Sequence, residues 1–556
     1  MTAWNKTYDF VVIGSGAGSM VAGMIMRRAG KSVLILEKDP LVGGTTARSG
    51  GIMWIPNNPV MKADGVQDSH DKALTYLNAV VGDPEDSPGS TLQRRSTFVS
   101  EAPKMVEFLV EQGLKFRRIK SWPDYFDELP GGIAVGRTLS VDLFDINKLG
   151  PWKDKLRPGF STIPMRMEEG LRVLGRAGPW AAKLAMLTIG LRITLARITG
   201  KQLINCGRAL QGRLLQAALR EGVEFQLSAP VKELVLEDGA VKGVLAEIEG
   251  ESVRIRARLG VLLNAGGFGH NQSMRDQYMP GTSEGWSLTS PTDTGEMIQE
   301  AVRIGAVTAQ MDSTAGAQLT IPPDNTGDFL PQMQMNIAKP HAMLVDQTGV
   351  RYQNEGGSYS TFTRNMMNRH KVAPAVPSWM ILDSDYTRQY MLAGTLPGSP
   401  QREKWVRSGF LRKGDTIEAL AKACDIDPAV LKQTVERFNG FARNGRDEDF
   451  GRGDRVYDRW LGDASHRPSP ALGTIAKAPF YALPIYPGDV GTLGGVVTDE
   501  RARVLREDGK AIPGLYATGA STASVMGSSY AGAGSSIGPT MTWGYVAAKD
   551  ALSSNN

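Results

Sequence analysis

A chain of 556 residues is too long for one ordinary hydrophobic core and implies two or three domains. Its 41% hydrophobic and 22% charged residues are the composition of a soluble globular protein, and 64 glycines without low-complexity runs point to many tight turns of the kind that wrap a cofactor. A net charge of +5, from 63 basic and 58 acidic residues, gives no case for nucleic-acid binding, and two cysteines, Cys206 and Cys424, exclude a disulfide framework and fit a reducing cytoplasm.

The polar residues 1–8 do not read as a secretory signal. Residues 9–13, Asp9-Phe10-Val11-Val12-Ile13, form an apolar β-branched run that predicts a buried parallel strand. Gly14-Ser15-Gly16-Ala17-Gly18-Ser19 follows at once, then a helix from Met20 to Arg28 stopped by Gly30. A second strand at 32–36 ends in Glu37, with Lys38 beside it. Each part has a physical task. Gly14 allows the tight turn, Gly16 lets the backbone approach a pyrophosphate, and the helix N-terminus offers N–H groups and a positive dipole end. Glu37 lies where an acid accepts hydrogen bonds from an adenosine ribose. Ser19 replaces the third glycine of the usual pattern, and Gly18 and Gly23 leave room for close helix packing. The whole predicts a dinucleotide-binding unit.

The next loop decides which dinucleotide. Gly43-Gly44-Thr45-Thr46 and Ser49-Gly50-Gly51 form a second glycine-rich segment that can wrap the pyrophosphate and flavin of FAD from another side, which a plain NAD domain does not need. Further on, residues 179–199 carry Lys183, Arg192 and Arg197 and no acid. Leu184, Leu187, Leu191, Leu195 and Ile198 share one helix face there. Such a helix either packs on its own domain, the favoured reading, or lies peripherally in a membrane interface. No apolar run reaches the roughly 18–20 residues that a membrane span requires.

A helix at 211–222 precedes a strand. Residues 231–236 and 241–248 then alternate around Asp238-Gly239 as a hairpin, with Val231 counted among the cofactor positions. Another buried strand at 260–264 runs into Ala265-Gly266-Gly267. Residues 343–351 predict a strand and hairpin, and 416–423 a helix. Residues 514–519 form a short strand entering Gly519-Ala520. Gly532 to Pro539, including Gly534, Ser535, Ser536 and Ile537, leads into a closing helix from Thr540. Glycine-rich elements at both chain ends suggest one large cofactor covered by both. The expected fold is α/β, a Rossmann-type FAD-binding domain (1–312 and 486–556) split by an inserted α+β catalytic cap domain (313–485). The five histidines show no metal spacing, so no metal site is expected.

With these elements in place, the sequence resembles the 3-ketosteroid Δ1-dehydrogenases, within the wider flavoprotein superfamily of fumarate reductases and succinate dehydrogenases. The resemblance rests on Ser49-Gly50-Gly51-Ile52-Met53-Trp54, Trp122-Pro123-Asp124-Tyr125, Phe438-Asn439-Gly440-Phe441-Ala442, Pro487-Gly488-Asp489-Val490-Gly491 and the closing Val525-Met526-Gly527 with Tyr530 and Gly534. It implies FAD as cofactor, a 3-ketosteroid as substrate and an external electron acceptor, a quinone or a dye. It implies functional roles for Tyr125, for Tyr359 after Asn354-Glu355, and for Tyr530 and Gly534. Three departures stand out. Ala531 follows Tyr530 where the family has proline, Ala520 follows Gly519 where it has asparagine, and Asp312-Ser313-Thr314-Ala315 replaces paired tryptophans in the substrate wall.

Desaturating a carbon pair beside a ketone requires a polarised carbonyl, a base for the adjacent proton and a hydride acceptor. The Tyr530 hydroxyl and the Gly534 N–H are expected to grip the carbonyl, one such donor being worth about 3–4 kcal/mol. Tyr359 is the expected base, with a hydrogen bond from Tyr125 stabilising its phenolate. Two enzyme alternatives remain open, a 3-ketosteroid Δ4-(5α)-dehydrogenase and a fumarate reductase-like flavoprotein acting on another enoyl or ketone substrate. A non-enzymatic steroid or flavin carrier is the third.

Overall fold

The computed structural model describes residues 3–173, 179–325 and 329–553. Strand β1 (Lys6–Ile13) ends at Gly14, whose φ is +91° and where a Cβ would stand 2.2 Å from the Asn264 carbonyl oxygen. Only glycine fits that turn, which feeds α1 (Ala17–Arg28). The buried β2 (Val33–Leu36) lies parallel to β1.

Helix α2 (Pro179–Ile198) is held on its small side by the buried Ala185, Ile189 and Ala196, and by Arg192, whose Nη1 donates to Glu169 at 2.6 Å. Its predicted apolar face does not pack on its own domain. Leu184, Leu187, Leu191, Leu195 and Ile198 are 57–76% exposed, because the contact surface is used up by the alanine side. Among the described residues no helix is long and apolar enough to cross a membrane.

Helix α3 (Cys206–Arg220) starts at Cys206, ahead of the predicted Gln211. Strands β3 (Glu224–Gln226), β4 (Val231–Glu237), β5 (Ala240–Ile248) and β6 (Glu251–Leu263) follow. The β4–β5 hairpin turns at Asp238 and Gly239, with φ of +50° and +75°, the paired left-handed residues of a two-residue turn matched to strand twist.

The chain then builds a second, antiparallel sheet. Its strands are β7 (Thr314–Leu319), β8 (Ala342–Val345), β9 (Ser378–Leu382), β10 (Arg412–Gly414) and β11 (Phe480–Thr492), in the order β7–β11–β9–β8 with β10 also on β11. Helix α4 (Tyr359–His370) lies between β8 and β9, and α5 (Val456–Leu461) between β10 and β11. The expected hairpin at 343–351 does not form. The Asp346 turn is present, but β8 pairs with β9, and Arg351 is drawn inward by Glu355 and Asp447, each 2.7 Å from its Nη2. The helix predicted at 416–423 forms over Ile417–Ala423, capped by Thr416.

Strands β12 (Arg503–Leu505) and β13 (Ala511–Ala517) return to the first sheet and give the order β12–β13–β6–β1–β2–β3, with β5 on β6 and β4 on β5. Parallel pairing buries Phe10–Ile13 of β1, Val33–Leu36 of β2 and Val261–Leu263 of β6, and these stretches are wholly apolar. The last helix, α6 (Ile537–Ser553), begins at Ile537 and crosses α1 where a Cβ on Gly544 would meet the Gly18 carbonyl oxygen at 2.3 Å. Phe10, Val12, Met20, Trp54 and Trp543 centre the core beneath this crossing.

Candidate active site

One cavity of about 1130 Å³ opens at the C-terminal ends of β1, β2 and β6 and extends to the edge of the second sheet. At its near end the turn Gly14-Ser15-Gly16 lines the cavity, and Gly16 caps α1 without any side-chain hydrogen bond, leaving the positive end of the helix directed at the cavity. Glu37 sits at the end of β2. One of its oxygens accepts from the Ser15 N–H (3.0 Å) and hydroxyl (2.5 Å), the other only from the Asp39 N–H (3.0 Å), so the second retains a lone pair for a ligand hydroxyl. Burial raises its carboxyl above the usual range.

Most of the sequence-predicted cofactor positions line this cavity. They are Gly14, Ser15, Gly16, Glu37, Lys38, Gly44, Thr45, Thr46, Ser49, Gly50, Gly51, Val231, Ala265, Gly266, Gly519, Ala520, Ser536 and Ile537. Five do not line it. Gly18 is spent on the α1–α6 crossing. Ser19 donates to the Gly14 carbonyl (2.7 Å) and accepts from Asn264 Nδ2 (2.8 Å), bracing the turn from behind. The Ala17 N–H points at the Thr46 hydroxyl (3.3 Å), and the Gly43 N–H at the Ser15 hydroxyl (2.8 Å). Ser535 closes back on Gly532, 2.7 Å from its carbonyl oxygen.

Asp293 lines the cavity but had no motif to announce it. It lies in a Ser/Thr-rich loop that Gly266 admits, since a Cβ there would meet its Oδ1 at 2.3 Å. Burial pushes its carboxyl up to about 7, against a hydrogen bond from the Thr45 hydroxyl (2.7 Å). His270 lies outside the cavity wall, its ring 3.3 Å from the Thr289 carbonyl.

At the far end three phenols converge. The ring centroids of Tyr359 and Tyr530 are 5.1 Å apart, those of Tyr125 and Tyr359 5.5 Å, and those of Tyr125 and Tyr530 6.1 Å. Tyr125, not Phe126, takes the inward place. Its loop is fixed by the carboxylate of Asp124, which accepts from Trp54 Nε1 (2.8 Å), the Ile133 N–H (3.1 Å) and Arg137 Nη1 (2.7 Å). The Tyr125 N–H donates to the Ala531 carbonyl at 3.1 Å, and the Tyr76 hydroxyl donates to the same oxygen at 2.6 Å. Alanine in place of proline therefore leaves the Tyr530 loop well tied. The Tyr530 hydroxyl lies 3.0 Å from Ser536 Oγ.

Gly534 has φ of +95° and stands so close to the backbone that a Cβ would lie 2.4 Å from the Ile52 carbonyl oxygen. Among the described residues its N–H has no acceptor, and it lines the cavity within the same turn as Tyr530. Tyr359 opens α4, where the positive end of the helix favours a phenolate. Burial works the other way and holds the Tyr359 phenol well above its ordinary value, with Tyr125 and Tyr530 adding to the rise. Proximity to Tyr125 is as expected, but the net downward pull on Tyr359 is not found. Ile52, Met167, Met335, Val490 and Leu493 surround the phenols.

Behind Tyr125 stands a fourth phenol, Tyr457, at a ring distance of 4.5 Å. It lies on a short helix without a motif, and nothing in the local sequence marks it.

Residues 9–537 match the FAD binding domain family. Over 98% of its length the chain is 38% identical to 3-oxosteroid 1-dehydrogenase of Mycolicibacterium smegmatis, covering 97% of that protein. It is 35% identical to 4-oxocyclohexanecarboxylate 2-dehydrogenase of Sinomonas cyclohexanicum, over 98% of this chain and 92% of that one. The crystal structure of 3-ketosteroid Δ1-dehydrogenase from Sterolibacterium denitrificans, in complex with 1,4-androstadiene-3,17-dione, matches with a TM-score of 0.93 at 35% identity, over 99% of this chain and 100% of that chain. The glycine turn, the open end of α1 and the long cavity fit FAD, and the chain belongs to the family of FAD-dependent 3-ketosteroid Δ1-dehydrogenases.

Proposed function

We propose that the chain desaturates the C1–C2 bond of 3-ketosteroids. The observation that carries this reading is the convergence of three phenols and one unpaired backbone N–H at the apolar end of a cavity whose other end suits a dinucleotide. The Tyr530 hydroxyl and the Gly534 N–H grip the C3 carbonyl oxygen and stabilise the negative charge that grows there. That polarisation acidifies the C2 proton, which the Tyr359 oxygen takes. Tyr125 hydrogen-bonds to Tyr359 and keeps it directed at the substrate. FAD, held by the Gly14–Gly16 turn and the loop at residues 43–51, supplies the hydride acceptor for C1 when bound. An external acceptor, a quinone or an assay dye, then takes the electrons. In this reading residues 313–485, which carry Tyr359, form the cap over a cofactor domain built from 1–312 and 486–556.

The relative that acts on 4-oxocyclohexanecarboxylate gives a second reading with the same chemistry on a smaller ring. A carboxylate substrate needs a cationic partner beside the phenols. The apolar side chains packed against the phenols, Ile52, Met167, Met335 and Leu493, suit a neutral ring system. Anaerobic mixing with 4-androstene-3,17-dione and with 4-oxocyclohexanecarboxylate separates the two. Flavin bleaching by the steroid, with a 1,4-diene product, is expected. Bleaching by the carboxylate alone, or a product desaturated elsewhere, refutes the steroid reading.

We also propose that α2 rests on a membrane surface. Its exposed leucines, Trp180 (81% exposed) and Lys183 and Arg197 combine an apolar face with positive charge. Sedimentation with anionic vesicles is expected for the protein and lost in the double variant Leu187→Gln/Leu191→Gln. Equal sedimentation of both removes the idea.

A further inference from the structure

We propose that Ser536 is a positioning residue that turns the Tyr530 proton toward the substrate carbonyl. The inference rests on the reading of Tyr530 as a carbonyl donor. The Tyr530 hydroxyl and Ser536 Oγ stand 3.0 Å apart, and either oxygen can be the donor. A ketone oxygen decides between the two directions, because it only accepts. Once Tyr530 gives its proton to the ketone, the bond to Ser536 survives only with the serine donating. The serine hydrogen swings about its C–O bond, so this direction is reached without moving a heavy atom. The Tyr530 oxygen then accepts one proton while offering its own, and the two bonds strengthen each other.

The local structure leaves the Ser536 hydroxyl free for this task. Ser536 stands immediately before α6, where a serine ordinarily caps the helix by accepting from the N–H of the second or third helical residue. Neither N–H is on offer. Gly538, the second residue, donates to the Gly534 carbonyl at 3.1 Å, and Pro539, the third, has no N–H. The Ser536 carbonyl does start the helix, accepting from the Thr540 N–H (3.0 Å) and hydroxyl (2.7 Å). Its backbone is thus tied down, while its side chain lines the cavity, exposed there beside the buried Tyr530. The neighbouring Ser535 is spent on its own loop, where it accepts from the Gly532 N–H at 2.9 Å. The contact between residues 530 and 536 also closes the turn that holds Gly534, whose carbonyl accepts from the Trp54 N–H at 3.1 Å. Both carbonyl donors therefore belong to one clamped turn. Burial raises the Tyr530 phenol, and the Ser536 hydroxyl pulls it back down, as a hydrogen bond donated to the phenol oxygen does.

The test is a double-variant cycle on anaerobic flavin reduction by 4-androstene-3,17-dione in the holoenzyme. Ser536→Ala is expected to slow reduction at saturating steroid by about tenfold. Steroid KM and the flavin spectrum are expected to stay unchanged, because the grip tightens as charge develops on the ketone. Ser536→Thr keeps the hydroxyl and is expected to restore the rate. In a Tyr530→Phe background, Ser536→Ala is expected to cost nothing further, since the serine acts only through the phenol. A wild-type rate in Ser536→Ala overturns the inference. So does a loss that persists in full beside Tyr530→Phe, that threonine does not rescue, or that comes with loss of bound FAD. Tyr530→Phe alone distinguishes the levels. If its rate is close to wild type, the reading of Tyr530 has failed; if it is slow while Ser536→Ala is not, only the role of Ser536 has failed.

Discussion

Replacing Tyr530 by phenylalanine isolates the carbonyl grip. The ring is buried and packs against Tyr359 at 5.1 Å and Tyr125 at 6.1 Å, and phenylalanine preserves both contacts. The loop stays anchored because its ties run through the Ala531 carbonyl, which accepts from the Tyr125 N–H and the Tyr76 hydroxyl. What is lost is one hydroxyl and its contact with Ser536 Oγ (3.0 Å), worth about 1 kcal/mol of stability. In catalysis the loss is larger. A donor aimed at a developing oxyanion contributes about 3–4 kcal/mol, so the reductive rate is expected to fall by about 10²–10³, with the Gly534 N–H supporting the remainder. Anaerobic stopped-flow mixing with 4-androstene-3,17-dione reads this as slowed loss of flavin absorbance, with the visible spectrum and thermal midpoint as controls. A rate within tenfold of wild type, in a protein that binds FAD normally, refutes the role given to the phenol.

The remaining predictions use the same protein. Tyr359→Phe is expected to abolish turnover while the protein stays yellow, and retained activity removes Tyr359 from the chemistry. Because burial holds the Tyr359 phenol well above 10, the fraction able to accept a proton grows with pH, so flavin reduction is expected to accelerate steadily from pH 7 to 10; a flat profile contradicts this. The same raised phenol favours the fold below pH 10, and that contribution disappears as pH rises through its folded value. Asp293, raised to about 7 from 3.8, favours the fold most below pH 3.8 and progressively less as pH rises through about 7. Urea unfolding is expected to show falling stability between pH 5 and 8, by a few kcal/mol at most, and a flatter profile in Asp293→Asn; identical slopes contradict it. Gly534→Ala is expected to yield little soluble holoprotein, since its Cβ would stand 2.4 Å from the Ile52 oxygen at a φ of +95°, and a well-folded, active alanine variant shows that the loop can yield.

Local physics explains which features were legible in advance. The β1–α1–β2 unit is written in adjacent residues, because strand, glycine turn and helix each carry their own signal. The Asp238-Gly239 hairpin is equally local, and both residues take the left-handed conformation that the pair suggests. Failures occurred where distant partners decide. Residues 343–351 have hairpin chemistry, yet β8 pairs with β9 and Arg351 is captured by Asp447, far along the chain. The leucines of α2 repeat at helical spacing, but periodicity cannot tell which face the fold will cover, and the alanine face was covered. Asp293 sits in a segment with no motif, so only the assembled cavity brings it to the site, and Tyr457 likewise reaches Tyr125 only through the fold. The tyrosine positions came from resemblance, since a lone tyrosine in sequence is indistinguishable from a packing residue.

The site is therefore a junction and not a motif. Tyr125 comes from the first part of the chain, Tyr359 and Tyr457 from the segment of the second sheet, and Tyr530 and Gly534 from the last part. Short main-chain bonds knit the three: the Tyr125 N–H on Ala531, and the Val456 and Tyr457 N–H groups on Asp127. These bonds use carbonyls and a carboxylate, none of them the hydroxyls that do the chemistry. Removing a hydroxyl should thus leave the frame intact, whereas Asp127→Ala should disturb Tyr457 and Tyr125 together. That variant is expected to lose reduction rate with a raised steroid KM, because two phenols shift together. If Asp127→Ala instead matches wild type in both rate and KM, the phenols are held by ring packing, and the main-chain frame is not what aligns them.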